Sequence, residues 1–361
     1  MTINYWLIFI YFGFIAFMAY GTDGIYRIEG ANEYRYKWIW AILMFLPLII
    51  IAGQRDKSIA DTYAYVSFFE QYPNNLSKLF TCIDSTTKDK GFVVFSILIK
   101  QFLGSNYHNY LMVIAVISGV ATLIPYKKYS CNYLISIFLF LASTDYMSWM
   151  MNGMRQYMVV SLTFLCSGLI LKKKYVHCTI IILILSTCHL SALIMLPTIL
   201  LVQGEAWNSK TVLFLVSIII FILGIGTFTS ILDHVLSETT YNNVVAQFSS
   251  DDGTNILRVL VYSVPTIIAF IYRKRIKEVT KPIINISINM SILSMGFYIV
   301  SIFTSGIYIG RIPIYFSLYN YILLPWEIEF LFEKEIKRLI YFVMIVSYLI
   351  FFYVQMYITW Q

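Results

Sequence analysis

Met151-Asn152-Gly153-Met154-Arg155-Gln156 opens an apolar run that closes on Lys172-Lys173-Lys174, and the next apolar run, residues 176–202, is interrupted by Cys188-His189-Leu190-Ser191. Arginine, amide and imidazole groups in or beside hydrocarbon are costly, so each needs a partner, a water-filled cavity or a charged ligand. These two runs decide the fold, because whether 176–202 crosses a membrane or doubles back sets which side every later loop faces.

The rest of the chain makes that membrane necessary. Of 361 residues, 59% are hydrophobic and only 12% charged, with mean hydropathy +0.73; a soluble domain of this size carries about a quarter charged residues. The apolar runs have the length of spanning helices and lack the alternation of barrel strands. The fold class is therefore all-α: a polytopic, multi-pass integral membrane protein whose helices satisfy their backbone polar groups internally. A net charge of +7 belongs to loops facing an anionic membrane surface. A nucleic-acid partner would need a soluble basic domain, which the sequence lacks. Five cysteines in no paired spacing give no disulfide framework and no metal motif. The first run, 5–20, has no basic n-region and no small-residue cleavage site, so it is expected to be a retained span.

Ten runs have the makings of full spans: 5–20, 37–53, 109–125, 131–149, 154–171, 211–232, 256–272, 283–304, 312–331 and 339–359. Residues 91–103 are too short, and 176–202 too long and too polar in the second half, with His189, Ser191 and Pro197. Short loops rich in Lys and Arg stay cytoplasmic. The clusters at Arg27/Arg35/Lys37, Lys127/Lys128, Lys172–174, Lys210, 273–281 and Lys334/Lys337/Arg338 hold 17 of the 26 basic residues. They fall on one side only if 176–202 is a re-entrant pair of half-helices meeting near His189 and 91–103 does not cross. The result is a single transmembrane domain over 1–361, with an outer loop at 54–90 containing short amphipathic helices around Phe68-Phe69 and 76–80, and a second outer loop at 233–255. From the cytoplasmic lysines, the helix rises about 24 Å back to Arg155 and the half-helix about 20 Å to His189. Both residues are thus expected at similar depth, toward the outer side.

Several side chains could carry chemistry there. Arg155, with Asn152 and Gln156, starts a helix on the face where arginine is unusual; its planar fork of donors suits phosphate, with snorkelling to the interface as the alternative. Arg311, in Gly310-Arg311-Ile312-Pro313-Ile314-Tyr315, repeats the pattern, and two such arginines could clamp a diphosphate. Arg55 is a further anion-binding candidate, beside Asp61 and Tyr63 for a polar substrate, with an interfacial loop as the plainer reading. His189 has the pKa for general acid or base work, or Ser191 and His189 simply break the helix. Tyr63, Tyr241, Trp149 and Tyr315 could stack on sugar rings. Asp145 is expected to pair with Arg155 ten residues on, and Glu70, Asp84, Asp233, Glu238, Asp251 and Asp252 read as outer-loop acids.

The set Asp61-x-Tyr63, Asn152-Gly153-Met154-Arg155-Gln156, His189-x-Ser191-Ala192-Leu193-x-x-Leu196-Pro197 and Arg311 with Tyr315 resembles the EpsG family of bacterial polysaccharide polymerases, related in role to Wzy O-antigen polymerases, over roughly residues 50–325. The chain departs from that pattern before Gly91, where a glutamate gives way to Lys88-Asp89-Lys90, so the family's acidic role at that point is missing unless Asp89 substitutes. The resemblance implies a metal-independent glycosyltransferase without cofactors, similar to GT-C-like membrane enzymes, in the bacterial inner membrane. It implies joining of undecaprenyl-diphosphate-linked repeat units at the periplasmic face, alongside a chain-length regulator and a flippase. On it, His189 or Asp61 removes the acceptor proton, Arg155, Arg311 and Arg55 bind the diphosphate, and Tyr63, Asn152, Gln156, Ser191 and Tyr315 orient sugar or phosphate. The alternatives are a lipid-linked glycan ligase or other polyprenyl-phosphate glycosyltransferase, and a flippase of the lipid-linked unit. Flippases tend to show two related halves, and no repeat is visible here.

Overall fold

The computed structural model describes residues 5–22, 24–27, 34–86, 88–236 and 253–359. Most of the 233–255 loop, with Tyr241, Glu238, Asp251 and Asp252, lies outside the described residues. Among the described residues the regular structure is helical, apart from a small antiparallel hairpin of β1 (Ile25–Arg27) and β2 (Tyr34–Tyr36).

In order, the helices are α1 (Trp6–Gly21), α2 (Trp38–Gly53), α3 (Thr62–Gln71), α4 (Leu79–Ser85), α5 (Lys90–Leu103), α6 (Tyr107–Tyr129) and α7 (Tyr133–Ala142). A π-helical turn, Tyr146–Asn152, leads into α8 (Met154–Leu165), α9 (Ser167–Leu171) and α10 (Tyr175–Cys188). A 3-10 turn, Leu190–Ile194, precedes α11 (Met195–Leu201), α12 (Ser209–Leu223) and α13 (Ile225–Leu236). Then come α14 (Ile256–Ile271), α15 (Arg273–Val279), α16 (Pro282–Ile302), α17 (Ile314–Ser317), α18 (Asn320–Leu331) and α19 (Lys334–Val354).

Among the described residues, four helical stretches are long and apolar enough to cross a membrane, or up to seven if each of three sharply bent pairs counts as one span. Ten runs therefore overstate the straight, full-length helices. Helices α1 and α2 have 16 residues each, and the run at 131–149 is broken by a 76° bend between α7 and the π turn. Outward side chains are apolar, including Phe17, Leu213, Leu223, Leu339 and Phe342; exposed apolar surface on this scale belongs in lipid. The protein is an all-α, multi-pass membrane protein.

The chain forms two compact units: residues 1–196 with 332–361, and residues 197–331. In the first, α6 is flanked by α2 and α8. Gly53 and Gly119 admit Met112 and Ile49, letting α2 and α6 approach closely. Hydroxyls bridge the helices: Tyr133 and Tyr146 donate to the carbonyls of Ala41 and Leu48, each at 2.8 Å. The last helix, α19, returns to this unit and packs on α7, and Trp6 of α1 donates to the Tyr357 hydroxyl at 3.0 Å. The segment from α3 to α5 sits over a shared cluster of Val66, Phe69, Phe92, Tyr110 and Met154.

Lys100, whose charge makes 91–103 a poor span, has a structural task. It is buried and its Nζ donates to the carbonyls of Phe69, Glu70 and Tyr72 at 3.0, 2.8 and 2.5 Å, capping the C-terminal end of α3. A cation there meets the negative end of the helix dipole and satisfies orphan carbonyls. Lys100→Met is expected to destabilise the detergent-solubilised protein by about 2–3 kcal/mol, the scale of charge-assisted bonds lost with their acceptors left buried. An unchanged melting temperature would contradict the capping role.

In the second unit, α16 carries a buried polar stripe, Ser287, Ser291, Ser294, Tyr298 and Ser301, at helical spacing. Ser291 meets Thr266 of α14 at 2.7 Å and Ser301 donates to Thr254 at 2.7 Å. Small hydroxyl residues let helices pack closely and bond across the interface.

Candidate functional site

The site is built where α3, α5, α8 and the break after α10 converge in the first unit. The break falls where expected: His189 has extended backbone (φ −155°, ψ 115°) between α10 and the 3-10 turn. Its ring Nδ1 lies 2.7 Å from the Ser191 hydroxyl, so Ser191 engages the imidazole.

Asp89 organises the centre. It holds a left-handed conformation (φ 55°) at the start of α5, which aspartate tolerates better than most residues. Its carboxylate pairs with Arg155 Nη1 at 3.0 Å and accepts a hydrogen bond from the Leu190 backbone N–H. One acid thus ties the first turn of α8 to the break beside His189. Gly91 makes this possible: a Cβ there would stand 2.9 Å from the Thr187 carbonyl carbon and closer still to its hydroxyl. Arg155 was expected to pair with Asp145. Instead Asp145 is fully buried beyond α7, with its own N–H toward the Ser143 hydroxyl, and Asp89 takes its place.

Burial pushes the Asp89 carboxyl up from its ordinary value, while Arg155 and the Leu190 N–H pull it back down. The net rise means the folded protein binds this proton more tightly than the unfolded chain. Stability from this group is therefore fully present below the ordinary carboxylate range and is lost as pH rises through the raised value. Asp89→Asn should melt no lower than the wild type at neutral pH, and its advantage should shrink on acidification. A variant that melts well below the wild type at neutral pH would reverse that sign.

Beside Arg155 lies a cavity of about 300 Å³, lined by Asp61, Tyr65, Phe68, Tyr72, Phe92 and Tyr110 among others. Arg155 is half-buried, stacks 5.9 Å over the Phe92 ring, and has a buried Nε with no acceptor among the described residues. The guanidinium thus holds Asp89 through one Nη while the side chain forms part of the cavity wall. Asn152 Oδ1 accepts the Asp61 N–H at 3.1 Å, tying the end of the π turn to the start of α3.

The other expected residues fare differently. Arg55 is only 2% exposed: Nε donates to Thr62 Oγ1 at 2.8 Å, Nη1 to the Ala52 carbonyl and Nη2 to Met154 Sδ at 2.9 Å. It staples α2 to α3 and α8 and has no fork to spare for phosphate. Tyr63 is 68% exposed and not part of the cavity wall; Tyr65 of the same helix and Tyr72 at its C-cap are. Asp61, Tyr65, Phe68 and Tyr72 follow the period of 3.6, and that spacing was the signal available in the sequence. Tyr110, on α6, had no such signal. Gln156 is buried in α8, and His189 and Ser191 do not line the cavity; the adjoining Leu190 meets Asp89, the partner of Arg155. Arg311 and Tyr315 belong to the second unit. Arg311 is exposed on a turn whose Gly310 packs against Thr254, and Tyr315 is only 1% exposed, which removes it as a sugar platform. Among the described residues no three His, Cys, Asp or Glu gather as a metal-holding group.

The EpsG family model matches residues 38–359. The chain belongs to the EpsG family. This is the family of Wzy-type polysaccharide polymerase-like proteins. No curated protein and no solved structure matches the chain. In this EpsG-family protein the match takes in every residue of the site, from Asp61 to Ser191.

Proposed function

We propose that this protein polymerises polysaccharide by joining undecaprenyl-diphosphate-linked oligosaccharide units at the periplasmic face of the bacterial inner membrane. The observation that carries the reading is Arg155, held by Asp89 in the wall of a cavity that tyrosines and Asp61 also line. Family membership and the all-α membrane fold support it. Ten crossings, likeness to GT-C enzymes, and work beside a chain-length regulator and a flippase are further parts of the proposal.

In the reaction, an acceptor sugar hydroxyl attacks the anomeric carbon of the growing chain and the bond from that carbon to the lipid diphosphate breaks. The departing diphosphate gains negative charge, which a pre-aimed guanidinium stabilises more in the transition state than in the ground state. Asp61 takes the hydroxyl proton. It is favoured over His189 because it lines the cavity, while His189 stands one contact away. Tyr65 and Tyr72 offer faces and hydroxyls to sugar rings. Arg311 is proposed as an anion ligand of the second unit.

Complementation of a polymerase-null strain tests this. Restored ladders of polymer length are expected; single-unit products would overturn the reading, and loss of outer-face units would point to a flippase.

A further inference from the structure

We propose that the second unit carries an independent binding site for the phosphate-bearing head group of an anionic membrane lipid, in the corner between α14 and α15. Helix α15 turns 77° from α14, so its seven residues lie across the end of the apolar helix with Ile276 buried beneath. The corner and the loop before α12 enclose a cavity of about 710 Å³, lined by Trp207, Asn285, Arg273, Lys274 and Lys277, with Glu205 as the acid in its wall.

Two of the basic residues of this corner are already engaged. Arg273 donates to the Phe270 carbonyl at 3.1 Å and stacks on its ring at 4.7 Å; Arg275 donates to the Leu331 carbonyl at 3.0 Å. Lys274 and Lys277, three apart on one face, make no hydrogen bond or ion pair among the described residues. In the loop, Trp207 lines the same cavity, and its Nε1–H is buried without an acceptor among the described residues. Indole nitrogen only donates, so what completes it must accept.

The wall is a built one. Asn285 and Asn289, one turn apart on α16, accept the backbone N–H groups of Ala206 and Trp207 at 3.0 and 3.2 Å. The Asn289 amide also donates to the carbonyls of Val202 and Glu205, each at 3.1 Å. Trp207 keeps a left-handed φ of 59°, costly for a bulky side chain, and packs edge-on against Phe270 at 5.1 Å. Unpaired cations, an unpaired donor and ample volume call for an anion larger than a bare ion. Ile267, Ile271 and Val279 are exposed beside the corner, where acyl chains would lie. Basic loops flanking spans are common for topological reasons; the pocket and the unsatisfied indole are what single this one out. The site does not rest on the polymerase reading.

The test uses the full-length protein in neutral detergent, with thermal stability followed as phosphatidylglycerol is added, and phosphatidylcholine and inorganic phosphate as separate arms. A saturable rise with phosphatidylglycerol and none with phosphatidylcholine is expected. Lys274→Ala with Lys277→Ala should weaken the midpoint about thirty-fold, since each basic residue at an anionic surface contributes roughly five-fold. Trp207→Phe, which keeps the ring and loses the donor, should also weaken it. Equal loss on replacing Lys334 and Lys337, a basic cluster elsewhere, would overturn the site in favour of general surface attraction. Saturation by inorganic phosphate without an effect of phosphatidylglycerol would overturn the lipid assignment.

Discussion

Arg155→Ala is expected to yield protein that inserts and folds normally and makes no polymer ladder, with turnover at least about a hundred-fold down. One preorganised donor removed from developing anionic charge typically costs 10²–10³ in rate. The stability cost is small by comparison, because Arg155 is about a third exposed and exposed ion pairs contribute roughly 0–1 kcal/mol. The two readouts therefore separate. Arg155→Lys is equally informative: a single ammonium can answer Asp89 or the incoming anion, but it cannot span both as the planar fork does. It should retain the wild-type melting temperature and lose most polymer. Asp89→Asn leaves Arg155 in the cavity without its anchor and should fall between, with shorter chains. Normal ladders from Arg155→Ala would remove the site from the mechanism.

Gly91→Ala is expected to be the most damaging small substitution in the first unit. Local propensity argues the other way, since alanine is favoured over glycine in a helix by about 1 kcal/mol. The added methyl, however, would meet the backbone and hydroxyl of Thr187, and backbone cannot rotate away. Overpacking of this kind costs typically 1–3 kcal/mol or more, so the clash outweighs propensity and α10 must move off α5. Asp89 is two residues away, so the shift also pulls its carboxylate from Leu190 and Arg155. Loss of both melting temperature and polymer is expected, partly recovered by adding Thr187→Ala, which removes the hydroxyl while the carbonyl carbon stays at 2.9 Å. A Gly91→Ala protein as stable as the wild type would show that the two helices do not touch there.

The parts legible in the sequence were those fixed by local pattern. The break at His189 shows because polar groups interrupt an apolar run, and the start of α8 shows because Asn152-Gly153 stops the turn before it. The membrane-spanning class follows from composition alone. The roles of single side chains were less visible, because they depend on partners distant in sequence. Arg55 looks like a spare cation until Thr62 and Met154, 7 and 99 residues on, are seen to take its donors. Asp89 reads as a departure from a family pattern, and only the fold brings Arg155 and Leu190 to it. Tyr63 and Tyr65 are equivalent as letters; which of them meets the cavity depends on the rotation of α3, set by Val66 and Phe69 packing inward.

The return of α19 to the first unit bears on how the protein is made. Synthesis delivers the chain from its N-terminus, so α1 waits for Phe352 and Tyr357 until the whole of residues 197–331 has left the ribosome. The second unit, continuous in sequence, can consolidate during that wait. A chain stopped at residue 331 would thus carry a second unit complete in sequence and a first unit in which α1 lacks its late-made partners.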